Sequence, residues 1–231
     1  MILALDTATP ATVVGVARPD GTLVAQRRHD PPPGERPGHT SELLPLATAA
    51  LADAGATWSD VTRLGAGVGP GTFTGLRIGV ATARALAQGL GVEVVAISTL
   101  RALALGDEGD GDPGAGAVLA VLDARRGEAF VAAYDAAGAE LLAPAAWRPD
   151  ALAGARDLAP GPWRAVGDGA VRFRAELEAA GITVPADDSD RHRVAARPLC
   201  RLAAEAPPVP RDALVPEYVR APDATPSADR R

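Results

Sequence analysis

A short apolar strand that ends in an aspartate and turns back as a hairpin occurs twice in this chain. Ile2-Leu3-Ala4-Leu5-Asp6 leads into the β-branched run 12–17 and a turn at Asp20-Gly21. Val118–Leu122 ends in Asp123 and leads into 128–134 and a turn at Gly138. Asp6 to Gly21 spans 15 positions, as does Asp123 to Gly138, and the offset of 117 is close to half of the 231 residues. Apolar, β-branched runs bounded by Gly and Asp read as strands. Self-similarity at half length points to an internal duplication. A duplicated chain of this size is expected to build two similar lobes of roughly 110 residues each.

The intervening sequence fills each half in the same spirit. After a third strand at 22–26, residues 28–38 hold four prolines and two glycines and read as a loop. Thr40-Ser41-Glu42 opens a helix whose apolar set is Leu43, Leu44, Leu46 and Leu51. Pro45 lies early enough inside it to be tolerated but is expected to kink it, and Gly55 ends it. A strand at 63–68 runs into Gly69-Pro70-Gly71-Thr72-Phe73-Thr74-Gly75, then a helix at 76–86, a strand at 92–97 and a helix capped by Ser98-Thr99. The second half adds strands at 139–142 and 163–167 and helices at 170–180 and 194–204. Pro216-Glu217-Tyr218-Val219-Arg220 is expected to dock back on the body. This gives an N-terminal lobe at 1–105, an acidic Gly-rich loop or linker at 106–116, a smaller, degenerate C-terminal lobe at 117–222 and a disordered tail at 223–231. The aspartates of 106–116 have a spacing superficially like that of a calcium loop, but no glutamate closes it and Pro113 interrupts it.

Composition removes several chemistries. All 23 basic residues are arginine, so a phosphate-loop lysine, a Schiff base and a cofactor-linking lysine are excluded. The net charge of −6 argues against this chain holding a nucleic-acid backbone alone. One cysteine, Cys200, excludes an internal disulfide and a thiolate metal cluster. No apolar run approaches the roughly 18 residues of a membrane helix, and residues 1–6 turn acidic too soon for a signal peptide. A reducing, cytoplasmic setting is expected, with no membrane partner.

A duplicated strand–Asp–hairpin followed by helices is the outline of the actin, sugar-kinase and chaperone nucleotide-binding (ASKHA) fold: α/β, two lobes, each a mixed sheet flanked by helices. There each hairpin cradles phosphate and the strand-end carboxylates hold hydrated magnesium. Asp6-Thr7-Ala8-Thr9 offers a carboxylate and two hydroxyls, but Pro10 removes a backbone donor. Asp123-Ala124-Arg125-Arg126-Gly127 lacks the paired small residues that let backbone approach a phosphate. The site reads as degraded, with Asp6, Thr7, Arg125 and Arg126 as the candidates for a residual nucleotide contact. Gly167-Asp168-Gly169-Ala170 is either a nucleotide-contacting turn or a plain strand-to-helix turn. The 69–75 loop at a helix N-terminus either binds an anion or packs backbone tightly. His29, His39 and His192 are far apart, and Leu43 stands where a helical His pair would place its second ligand, so no metal is expected. Cys200 reads as a buried, inert thiol, and no serine has a nucleophile-elbow context. The Ala- and Leu-rich helices 43–54 and 76–87 either pair with helices of another chain or cover their own sheet.

The residues Met1–Thr9, His39-Thr40 with Leu43-Leu44-Pro45, Gly69–Gly79, Ser98-Thr99-Leu100, Leu122–Glu128, Gly167–Ala170 and Pro216–Arg220 stand in the order found in the bacterial TsaB (YeaZ-type) family, which the chain resembles over about 1–222. The resemblance is strong in the first half and thin between Ala143 and Arg211. It implies a non-catalytic paralogue of TsaD, the enzyme that transfers threonylcarbamoyl to the adenosine beside the anticodon of tRNA. It further implies pairing with TsaD, recruitment of the small ATPase TsaE, and a homodimer when the partner is absent. It puts ATP or ADP and a metal in the partner subunits, none bound by this chain alone, and tRNA contact only through the complex. The implied partner interface comprises Thr40, Leu43, Leu44, Ala47, Leu51, Thr74, Leu76, Arg77, Val80, Ala83, Arg84 and Ala87. The competing readings are a stand-alone nucleotide-dependent enzyme of the sugar-kinase class, with Asp6 and Asp123 around magnesium-ATP, and a metallopeptidase-like glycoprotease.

Overall fold

The computed structural model describes residues 1–32, 34–106 and 116–220. The calcium-like spacing within 107–115 and the tail from 221 onward lie outside the described residues.

Two five-stranded sheets carry the fold. In the first, β1 (Ile2–Asp6) pairs antiparallel with β2 (Thr12–Ala17), which pairs antiparallel with β3 (Leu23–His29). On its other side β1 pairs in parallel with β4 (Arg63–Gly69), and β4 with β5 (Glu93–Ser98), for an order β3-β2-β1-β4-β5. The second sheet repeats this with β6 (Ala117–Arg125), β7 (Glu128–Tyr134), β8 (Glu140–Trp147), β9 (Trp163–Val166) and β10 (Ile182–Thr183), in the order β8-β7-β6-β9-β10. Parallel and antiparallel pairings match one for one, so Asp6 at the end of β1 and Asp123 two residues before the end of β6 lie on equivalent strands.

Burial follows the pleat. Along β1, Leu3 and Leu5 face a core shared with α1 (His39–Asp53) and α2 (Phe73–Leu90), whereas Ile2 and Ala4 face a core between the sheets. Along β6, Val118, Ala120 and Leu122 join that central core, and Leu119 and Val121 join a third one with α4 (Asp168–Arg172) and α5 (Arg174–Ala179). Strands covered on both faces read as continuous apolar runs, which is why both stood out in the sequence. The central core also takes in α3 (Thr99–Leu105) and α6 (Ala196–Glu205).

Several elements depart from expectation. Helix α2 begins at Phe73, three residues early, because the Leu76 N–H bonds to the Thr72 carbonyl. The single helix expected over 170–180 is two, separated at Phe173. A 3-10 stretch at Pro149–Asp157 buries Leu152 and Ala155 without a periodic signal. Helix α6, assigned by sequence order to the second lobe, lies on the first sheet against β1, β2 and β4. Gly15 makes that approach possible, since a Cβ there would stand 2.6 Å from Cys200 Sγ. Burial pushes the Cys200 thiol up to about 12. Beyond α6 the chain returns as a strap: Val209 bonds to Val94 beside β5, Leu214 is buried under α2, the Glu217 N–H donates to the Val68 carbonyl, and Arg220 reaches Glu128 on β7 at 2.7 Å.

Candidate functional site

At the end of β1 the carboxylate of Asp6 is fully buried. It accepts hydrogen bonds from Thr99 Oγ1 at 2.7 Å and from the Ala8 N–H at 2.8 Å. Burial raises its pKa to about 6 against the lowering effect of those two bonds and of the Arg28 charge. Beneath it lies the backbone of Gly67, where a Cβ would stand 2.0 Å from Asp6 Oδ2. Thr7 is equally buried and donates from Oγ1 to the Gly75 carbonyl at 2.7 Å. The Thr72 N–H at the head of α2 donates to the Ala8 carbonyl at 2.7 Å. A Cβ at Gly75 would lie 2.0 Å from the Thr7 carbonyl oxygen. The 69–75 loop is therefore tight backbone packing, and the Asp6 carboxylate, the Ala8 N–H and the Thr7 hydroxyl are engaged within the chain. Asp6 and Thr7, expected as residual nucleotide contacts, are both buried, and each is closed over by a glycine distant in sequence.

The second hairpin is different. The Asp123 N–H donates to Asp168 Oδ1 at 3.0 Å, Asp123 Oδ1 accepts the Arg125 N–H at 2.9 Å, and Oδ2 meets Arg172 Nη1 at 2.7 Å. Asp168 is held above the usual carboxylate range, chiefly by burial and also by the Asp123 charge, against the hydrogen bond from Asp123. Gly167–Ala170 thus braces β6 at the start of α4. Arg125 and Arg126 stand exposed at the turn.

His39, the position matched to a metal ligand, is buried and bonds through Nδ1 to Thr12 Oγ1 at 2.8 Å. Burial, with a smaller effect from His29, lowers its pKa. Leu43 lies in the core beside it in sequence. Among the described residues no group of three or more His, Cys, Asp or Glu side chains is placed to hold a metal ion.

The expected partner interface divides into two faces. Leu43, Ala47, Leu51, Leu76, Val80, Ala83 and Ala87 are buried against their own sheet. The small apolar side of α1 covers β2 and β3, and that of α2 covers β4 with β1 and β5. Thr40, Leu44, Thr74 and Arg77 face outward, and Arg84 is half-exposed on Asp212 at 3.0 Å. Leu44 is 47% exposed, and at the head of α2 Phe73 is 53% exposed. Phe73 stacks on Tyr218 of the strap with ring centroids 5.6 Å apart. The Arg77 guanidinium lies 3.7 Å from the Phe73 ring centroid and donates from Nε to the Tyr218 hydroxyl at 3.1 Å. Neither Phe73 nor Tyr218 was among the candidate site residues. The available signal was an aromatic beside the 69–75 glycines in a chain only 3% aromatic.

Two copies of one mixed sheet, each with an aspartate at or near the end of its central strand, define the class: an α/β protein of the duplicated actin-like/sugar-kinase fold. A family model described as TsaD, tRNA N6-adenosine threonylcarbamoyltransferase, matches residues 32–164, more than half of the chain, and the chain belongs to that family. Within it the chain resembles tRNA threonylcarbamoyladenosine biosynthesis protein TsaB of Escherichia coli, 33% identical over 133 residues that make up 58% of this chain and 54% of that protein. An uncharacterised protein of Mycobacterium tuberculosis is 42% identical over 76 residues, 33% of this chain and 35% of its own length. The aligned part thus spans about a third to a half of these relatives. A solved structure from Pseudomonas aeruginosa, described as similar to the peptidase YeaZ, superposes with a TM-score of 0.78 at 29% identity and covers 95% of this chain and 99% of its own. YeaZ of the same organism gives 0.72 at 28%, covering 94% and 99%.

Proposed function

We propose that this chain is an accessory subunit in the formation of threonylcarbamoyladenosine on tRNA, acting by pairing with a TsaD-type catalytic paralogue. The observation that carries the reading is the state of Asp6. The carboxylate that a working member of the fold would turn toward magnesium and phosphate is buried, bonded to Thr99 and Ala8, and covered by Gly67. A chain with that hairpin closed contributes surface. The surface on offer is the outer side of α1 and α2, where Leu44, Phe73 and Arg77 are exposed together with Tyr218. Exposed aromatics next to an arginine are the residue types that anchor protein interfaces. On this reading ATP or ADP and any metal belong to partner subunits, a TsaE-type ATPase joins the pair, and a homodimer forms through the same face when the paralogue is absent. The chain works in the cytoplasm and meets tRNA as part of the complex.

The test is complementation in extract. Lysate depleted of this chain should stop forming threonylcarbamoyladenosine on tRNA, and the purified chain should restore it in proportion to the amount added. Restoration without the chain, or none with it, contradicts the proposal. Calorimetry with magnesium-ATP addresses the sugar-kinase reading, which requires micromolar binding and turnover by the chain alone.

A further inference from the structure

Resting on the reading of the chain as a subunit of a tRNA-modifying assembly, we propose that the tip of the β6–β7 hairpin contacts phosphates of the tRNA backbone through Arg125, Arg126 and Arg172. The backbone supplies the first argument. Arg125 and Arg126, with φ of 63° and 55°, are the non-glycine residues with positive φ among the described residues. Left-handed backbone is disfavoured for any residue with a Cβ. A two-residue turn with both φ positive, as at Arg126-Gly127, is normally Asn-Gly or Asp-Gly. Two adjacent arginines held there against local preference point to a use for the side chains beyond closing the turn.

Side-chain geometry supplies the second. Arg125 and Arg172 converge on one atom, Asp123 Oδ2, at 3.4 and 2.7 Å, where the carboxylate side chain is 9% exposed and the arginine side chains are 67% and 46% exposed. Asp123 is itself fixed through its N–H by Asp168. The acidic groups therefore sit beneath the tip and orient the guanidinium groups, while most of the Arg125 side chain and nearly half of the Arg172 side chain remain in solvent. The next residue past the turn, Glu128, is engaged with Arg220 at 2.7 Å. Arginine forks match phosphate oxygens in pairs, and phosphate contacts position a protein on RNA without reading sequence. On a chain of net charge −6 such a patch gives local attraction, with the bulk of affinity supplied by a partner. Exposure at the apex of a hairpin suits a strand running past it; a free nucleotide offers the same phosphate chemistry but needs enclosing walls.

The experiment measures binding of a transcribed tRNA to the complex of the full chain with its catalytic paralogue, at about 50 and about 200 mM salt. The variant carrying Arg125→Ala and Arg172→Ala should bind at least about fivefold more weakly, with the log affinity against log salt shallower by about 1 to 2. Arg126→Asn should also weaken binding while its melting temperature stays level or rises, because asparagine suits the left-handed turn; a residue needed only for the fold would not separate the two readouts. Arg27→Ala, on the edge of the first sheet, is the control and should change nothing. Unaltered affinity and slope in the tip variants, an equal loss in the control, or loss of ATP binding with tRNA binding retained would each overturn the proposal. Failure of the two chains to elute together instead defeats the subunit reading, so the two failures are told apart.

Discussion

Asp6 places an ionisable group where water does not reach, and its pH behaviour follows from that. Its pKa in the fold is about 6 against an ordinary 3.8, so the folded chain favours the neutral acid. The stability it contributes is complete below about pH 4 and is lost as pH rises through about 6. A two-unit shift corresponds to about 3 kcal/mol in full. Asp6→Asn removes this titration while an amide oxygen can still accept the Ala8 N–H. Urea melts should show the variant gaining about 2–3 kcal/mol on the parent between pH 4 and pH 7; parallel profiles would contradict the assignment. The sequence made the carboxylate visible as the polar end of an apolar strand. It could not show Gly67 and Thr99 closing on Asp6, because those contacts span 61 and 93 positions. Arg125 and Arg126 were legible as departures from a phosphate hairpin, but their positive φ was not.

Alanine-rich helices conceal which side is which. On α2, Ala83 and Ala87 are buried while Ala81 and Ala85 are exposed, so the residue type carries no direction. The helices themselves were readable from spacing and caps; the face each one buries was not, and seven of the interface residues implied by the resemblance are buried against their own sheet. The corrected faces make opposite predictions. Val80→Asp puts a charge into the core under β1 and β4 and should cost about 3–5 kcal/mol, enough to unfold a marginal domain. Leu44→Asp should leave the melting temperature within about 2 °C of the parent. Thermal melts of the two separate the faces, and equal destabilisation would mean that α1 is misplaced. Gly75→Ala brings a methyl against the Thr7 carbonyl and should destabilise by about 1–3 kcal/mol through overpacking. A neutral result there would show that the loop has slack for a ligand.

Across the whole molecule, the duplication was legible because a strand ending in aspartate and a turn glycine recur at one offset. The docking back of 216–220 was legible too, but its partners and those of α6 were not, since they lie far upstream. The strap runs from β5 past α2 to β7 and buries Leu214 in the first-sheet core. Leu214→Ala should cost about 2–5 kcal/mol in a urea melt, and a loss under about 0.5 kcal/mol would mean that the strap is peripheral. The same strap supplies Tyr218 to the exposed cluster at the head of α2, so the face proposed for pairing is assembled from segments more than 140 positions apart.

Light scattering behind size exclusion, on this chain mixed with the TsaD paralogue of the same organism, tests pairing through that face most directly. A one-to-one complex is expected, abolished by Phe73→Asp or Arg77→Glu while each variant alone melts like the parent. A parent chain that elutes apart from the paralogue, or a complex indifferent to both substitutions, would contradict it.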